Sequence, residues 1–178
     1  DPEDPEVQIR ANFLRFLSLG GDDFAPLHES RLELNGAYVD EDLDFSGCTV
    51  RQPLLFRRCH FAGRIFLRDA ITKSLNFSTS HVQSIDAESA HIRGSVLLKD
   101  GFCAAGGVSF PYATIDEMLC CSGGHLRSVR GPAFNCRGAE INGDADMKGG
   151  FLGEGAVIFH AATIGGELNC SGSAFRNR

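Results

Sequence analysis

From Leu32 onward, one pattern of inward and outward residues returns about every eleven positions. In each unit, positions 1, 3, 6 and 8 are apolar or small. The units open at Leu32, Leu43, Leu54, Ile65, Leu75, Ile85, Val96, Val108, Leu119, Phe134, Ala145, Val157 and Leu168. Successive openings lie ten to twelve residues apart, with one gap of fifteen after Leu119. One unit read in full puts Leu43, Phe45, Cys48 and Val50 inside, with Asp44, Ser46, Gly47 and Thr49 between them. A chain built this way can bury the apolar side of each unit only by stacking it on its neighbours.

The spacing carries the geometry. Positions 1 and 3 alternate with outward residues, as do 6 and 8, so each pair is a short strand of period two. The two residues between the pairs are often Ser-Gly, Arg-Gly or Arg-Asp, which favour turns. Two such faces make a unit, and two units close one coil of about 22 residues. Stacked coils pair as parallel strands roughly 4.8 Å apart, so six and a half coils predict a rod about 31 Å long.

Alternate units should then share a column. The even units align Cys48, Ala70, Ala90, Ala113, Ala139 and Ala162, beside Val50, Thr72, Ile92, Ile115, Ile141 and Ile164. Small beside branched, repeated along the rod, fills a narrow interior without voids. The expected fold class is therefore all-β: a right-handed four-sided parallel β-helix, thirteen half-coil units over residues 25–178. A six-residue period is missing, which excludes the left-handed hexapeptide helix common among acyltransferases. A longer repeat overlies the short one. Residues 94–126 and 143–175 align at an offset of 49, sharing among others Phe102/Phe151, Val108/Val157, Ile115/Ile164 and Cys121/Cys170. The extra residues fall mostly in a loop around Arg127 to Pro132.

Residues 1–24 break the pattern and are read as a capping α-helix. Asp4-Pro5-Glu6 supplies a start and Gly20-Gly21 a stop. Val7, Ile9, Ala11, Phe13, Leu14, Phe16 and Leu17 leave a narrow polar stripe of Gln8, Asn12 and Arg15, so the helix should be buried on most sides. It would cover the exposed strand edges of the first coil. At the other end Arg178 follows the last unit directly. Either the native chain continues, or the blunt end meets another molecule, giving a homodimer through the C-terminal end.

The short, regular strands and small inward residues resemble the pentapeptide-repeat proteins, and Ile65 to Ile92 keeps their five-residue spacing. The blocks Gly101-Phe102 to Gly106-Gly107-Val108, and Ala113-Thr114-Ile115 to Cys121-Ser122-Gly123, look more like a related group of uncharacterised bacterial solenoid proteins. Ile9-Arg10-Ala11-Asn12-Phe13-Leu14 and Leu32 to Gly47 look like the start of those proteins. Some members carry an automatic label as membrane-associated oxidoreductases. The shared motifs are structural and carry no chemistry to transfer.

Charge is uneven along the chain. The net charge is −6; residues 1–44 hold −9 and residues 45–178 hold +3. No stretch is basic enough for a nucleic-acid footprint. No run of about 18 apolar residues is present, so no membrane-spanning helix is expected. Seven cysteines without a CxxC pair do not form a disulfide framework and suit a reducing cytoplasm.

Few side chains suggest chemistry. Cys48, Cys59, Cys121, Cys136 and Cys170 are expected to face inward, with Cys120 outward, so no four ligands converge on zinc. Position 7 of the odd units faces out and reads Tyr38, His60, His81, Phe102, His125, Phe151 and Ala174. Tyr38, His60, His81 and His125 are thus the candidate interaction face. His60 and His81 could hold a divalent metal if a third ligand approached, but a stacking ladder is the simpler reading. The twelve-residue gaps leave open that Phe102 and Phe151 turn inward.

Asp42/Asp44 and Asp144/Asp146 are carboxylate pairs at strand spacing, and a regular rod offers no groove for them. GxSxG, GxGxxG and phosphate-loop motifs are missing. The expectation is a non-enzymatic structural or protein-interaction domain without cofactor or metal, with an unidentified protein partner. The alternative is a DNA-mimic inhibitor of a topoisomerase, as the pentapeptide-repeat resemblance implies, and an oxidoreductase-type enzyme is a distant third. Mimicry needs an acidic flank, whereas Arg51, Arg57, Arg58, Arg64, Arg68 and Lys73 cluster here.

Overall fold

The structure is a computed structural model that describes residues 8–21 and 31–177. Among the described residues, short parallel strands form three sheets around one apolar interior; the largest sheet carries two tracks of strands, and the tracks are numbered in chain order. The first runs from Leu32–Asn35 through Leu54–Arg57, Leu75–Asn76, Val96–Leu97, Leu119–Cys120 and Ala145–Asp146 to Leu168–Asn169, forming a seven-stranded sheet. The second starts at Tyr38–Val39 and the third at Leu43–Asp44. His60–Phe66 and His81–Asp86 run through both, merging these tracks into one eleven-stranded sheet. The fourth joins Ile71–Thr72, His91–Ile92, Thr114–Ile115, Glu140–Ile141 and Thr163–Ile164, with Thr49 bridging to Ile71.

The molecule is a parallel β-solenoid of about seven coils, with about 22 residues in each. Leu32 pairs with Leu54, Leu54 with Leu75 and Leu75 with Val96, so the unit openings read from the sequence stand in one column. Strands stay short because the corners recur. At the corner between the first and second tracks the chain takes a left-handed turn at Gly36, Arg58, Thr79, Gly123 and Gly172, with φ from 52° to 76°. Side chains stabilise the corners as well. The Asn76 Oδ1 accepts the Ser78 amide at 2.9 Å, and the Asp44 Oδ1 accepts the Ser46 amide at 2.8 Å. Hydrogen bonds from the Ser46 hydroxyl and amide hold the Asp44 carboxyl below its ordinary range.

Inside, Ala70, Ala90, Ala113 and Ala139 are buried beside Val50, Thr72, Ile92, Ile115 and Ile141, as the column pattern requires. Phenylalanines fill the wider part. Phe77 packs on Phe56, Phe61 and Phe102 with ring centroids 5.4, 5.8 and 6.5 Å away. Phe102 and Phe151 are fully buried, which corrects their outward placement. The corners before them spend two left-handed residues instead of one, Asp100-Gly101 and Gly149-Gly150. The added residue shifts the side-chain phase, turning each Phe inward. Gly124 takes the matching position in the coil between, where a Cβ would press on the Leu98 and Cys121 carbonyl oxygens at 2.9 and 3.0 Å.

Cys59, Cys121 and Cys136 are buried as expected, while Cys48 and Cys170 are only half-buried. Cys48 lies where the N-terminal helix meets the first coil, its sulfur 3.3 Å from an Arg15 Nη2. Cys120 occupies an outward strand position but is only 6% exposed, because Leu97 and Asp146 flank it in the same row.

At the N-terminal end, α1 covers Ala11–Ser18. It buries Ala11, Leu14 and Ser18 over the first coil, and the Gln52 Nε2 donates to the Leu17 carbonyl at 3.2 Å. Gly20 and Gly21 end it with positive φ, as read. The expected start at Asp4-Pro5-Glu6 lies outside the described residues. Within them the helix begins later, because Gln8 bridges to Tyr38 and the Ile9 amide donates to the Tyr38 carbonyl at 2.8 Å. These residues extend the second track before the chain turns into the helix. Phe13, at 55% exposed, and Phe16 also face outward, so the helix is buried on one side rather than most. No helix among the described residues is long and apolar enough to cross a membrane. In the last coil, Leu168 and Phe175 are 45% and 49% exposed beside an open recess of about 430 Å³.

Candidate interaction face

The second track sets one outward column along the rod. In register it reads Tyr38, His60, His81, Cys103, His125, Leu152 and Ala174. Cys103 and Leu152 take the places expected for Phe102 and Phe151, by the phase shift at the two corners. Neighbouring strands lie about one ladder spacing apart, so flat side chains in this column stack. Tyr38 and His60 stack at 5.1 Å with 18° between planes. His60 and His81 stack at 6.2 Å with 15° between planes.

The stack changes the chemistry of His60. Partial burial, and then the positive charge that His81 can carry, push its pKa below the ordinary imidazole value. Burial likewise pushes the Cys103 thiol up, keeping it protonated near neutral pH. Beside the column, Ala62, Gln83 and Ala105 form a lower row, and the two rows border an open trough of about 370 Å³.

His125 stands apart from the other candidates. The Cys103 rung separates it from His81, and its Nε2 lies 2.9 Å from the Glu154 Oε2. Glu154 also stands 3.9 Å from an Arg176 Nη1. The structure thus brings Tyr38, His60 and His81 into one stack and ties His125 into an ion-pair row two rungs away. Among the described residues, no three His, Cys, Asp or Glu side chains converge on a point where a metal could sit.

A second outward feature escaped the sequence reading. At the corner where the fourth track passes to the first, Arg51, Lys73, Arg93 and Asp116 stack in register, before Asn142 and Gly165 continue the column without charge. The signal lay in position 9 of the even units, once those are stacked like the inward positions.

No family model matches the chain, and neither a curated protein nor a solved structure matches it.

Proposed function

We propose that the chain is a non-enzymatic interaction domain, a right-handed four-sided solenoid of pentapeptide-repeat type that presents the Tyr38–His60–His81 column to a protein partner. Parallel strands joined by crossovers are right-handed in the great majority of sheets, which supports the handedness. The observation that carries the function is the ordered ring stack bordering an open trough. Aromatic and imidazole rings offer large contact area with little rotamer entropy to lose, a property of surfaces that bind proteins. Seven free thiols suit a reducing compartment such as the cytoplasm.

The test compares immobilised wild-type protein with a His60→Glu, His81→Glu double variant of unchanged circular dichroism. Proteins retained from a cell extract are quantified by mass spectrometry. At least one should be held roughly tenfold more strongly by the wild type, a loss of about 1.4 kcal/mol. Equal retention of every protein contradicts the ring column as a docking surface.

A further inference from the structure

The corner between the fourth and first tracks carries charge in an ordered sequence. Arg51, Lys73 and Arg93 occupy three successive rungs, all exposed, and none stands in an ion pair among the described residues. Their column continues through Asp116 to the uncharged Asn142 and Gly165. The acids of these next three rungs are Asp116 with Glu117, then Asp144 and Glu167 two positions further along the chain, again all exposed. Asp116 holds His91 at 3.0 Å, Glu117 accepts the Ser95 hydroxyl at 2.7 Å, and Asp144 accepts the Glu167 amide at 2.9 Å. None of these contacts is with a lysine or arginine, although Lys148 lies within electrostatic range of Glu167. Like charges on adjacent rungs repel, Arg51 with Lys73, Lys73 with Arg93 and Asp144 with Glu167. Among the described residues, only Arg93 beside Asp116 and Lys148 near Glu167 oppose this within the chain, so an opposite charge from outside would relieve the rest.

We propose that this corner is a self-complementary interface through which two copies of the chain associate side by side and antiparallel. Place a two-fold axis between the Arg93 and Asp116 rungs. Arg51 then faces Glu167 of a second copy, Lys73 faces Asp144, and Arg93 faces Asp116 and Glu117. The axis generates every pair twice, as an isologous interface requires. With rungs roughly 4.8 Å apart, the matched charges extend over about 24 Å of the rod. A polyanion would be drawn to one half of this corner and repelled by the other, and a polycation the reverse. A second copy running the opposite way satisfies both halves. Exposed ion pairs act through solvent, so the association is weak and salt-sensitive.

The corner and the ring column are separate surfaces, so either assignment can fail alone. Sedimentation velocity on the full chain tests the corner. The wild type should dimerise at low salt, with a dissociation constant at least about tenfold weaker at 200 mM than at 20 mM salt. Lys73→Glu and Asp144→Lys should each be monomeric, because the axis doubles every repulsion. An equimolar mixture of the two should form a heterodimer, and the Lys73→Glu, Asp144→Lys double variant should recover the homodimer. A wild type monomeric at low salt overturns the proposal. So does a dimer that survives either single reversal, as one through Leu168 and Phe175 at the C-terminal end would. Failure of the mixture and the double variant to associate also overturns it.

Discussion

A histidine partly desolvated beside a second histidine is a poor base, and His60 is in that position although it remains exposed. Its depressed pKa means that the unfolded chain binds more protons than the folded one just below the ordinary imidazole value. Stability contributed by neutral His60 is therefore complete above about pH 6.5 and declines as pH falls toward the lowered folded pKa. Between about pH 7.5 and pH 5, urea midpoints should fall further for the wild type than for His60→Gln. Parallel declines would show that the stack does not perturb His60. The stack itself was legible in the sequence, because position 7 of alternate units must share a column. Cys103 was not. A twelve-residue gap reveals one extra residue but not whether a corner or a strand absorbs it. The two left-handed residues Asp100 and Gly101 decide that, and they turn Phe102 in and Cys103 out.

Elements read well where their signal was local and poorly where it came from afar. Gly20-Gly21 marked the end of α1 because positive φ is a property of those residues. Its start was missed because Gln8 and Ile9 pair with Tyr38, thirty positions on. The long strand His60–Phe66 poses a related problem, since it must serve two tracks and slips register between Phe61 and Arg64. Gly63 lies in that slip. A Cβ there would stand 2.3 Å from both the carbonyl carbon and the oxygen of Glu41, in the coil before. Backbone cannot yield as a flexible side chain does, so Gly63→Ala should cost about 1–3 kcal/mol in urea denaturation. A loss within a few tenths of a kcal/mol would mean that the first coils shift freely.

Across the whole molecule, one register held over about seven coils turns sequence period into surface pattern. Inward columns were readable because hydrophobicity marks them. The charged corner carried no such mark, and along the chain its cations mingle with Arg57, Arg58, Arg64 and Arg68, which belong to other corners. Stacking the coils separates them. Arg64 then has an acidic neighbour in its own row, Asp42, and Arg57 reaches Glu33 on the adjoining strand. Arg51 and Lys73 have none among the described residues, and Arg93 adjoins Asp116, which pairs with His91 instead. The central claim is that the rod works through its outer columns, with the charged corner joining two rods along their length. Small-angle X-ray scattering at about 20 mM salt, where screening is weak, tests this most directly. The account predicts a particle of two chains whose longest dimension stays close to that of one rod while its cross-section widens. A particle of one chain, or of two chains with the length doubled, would contradict it.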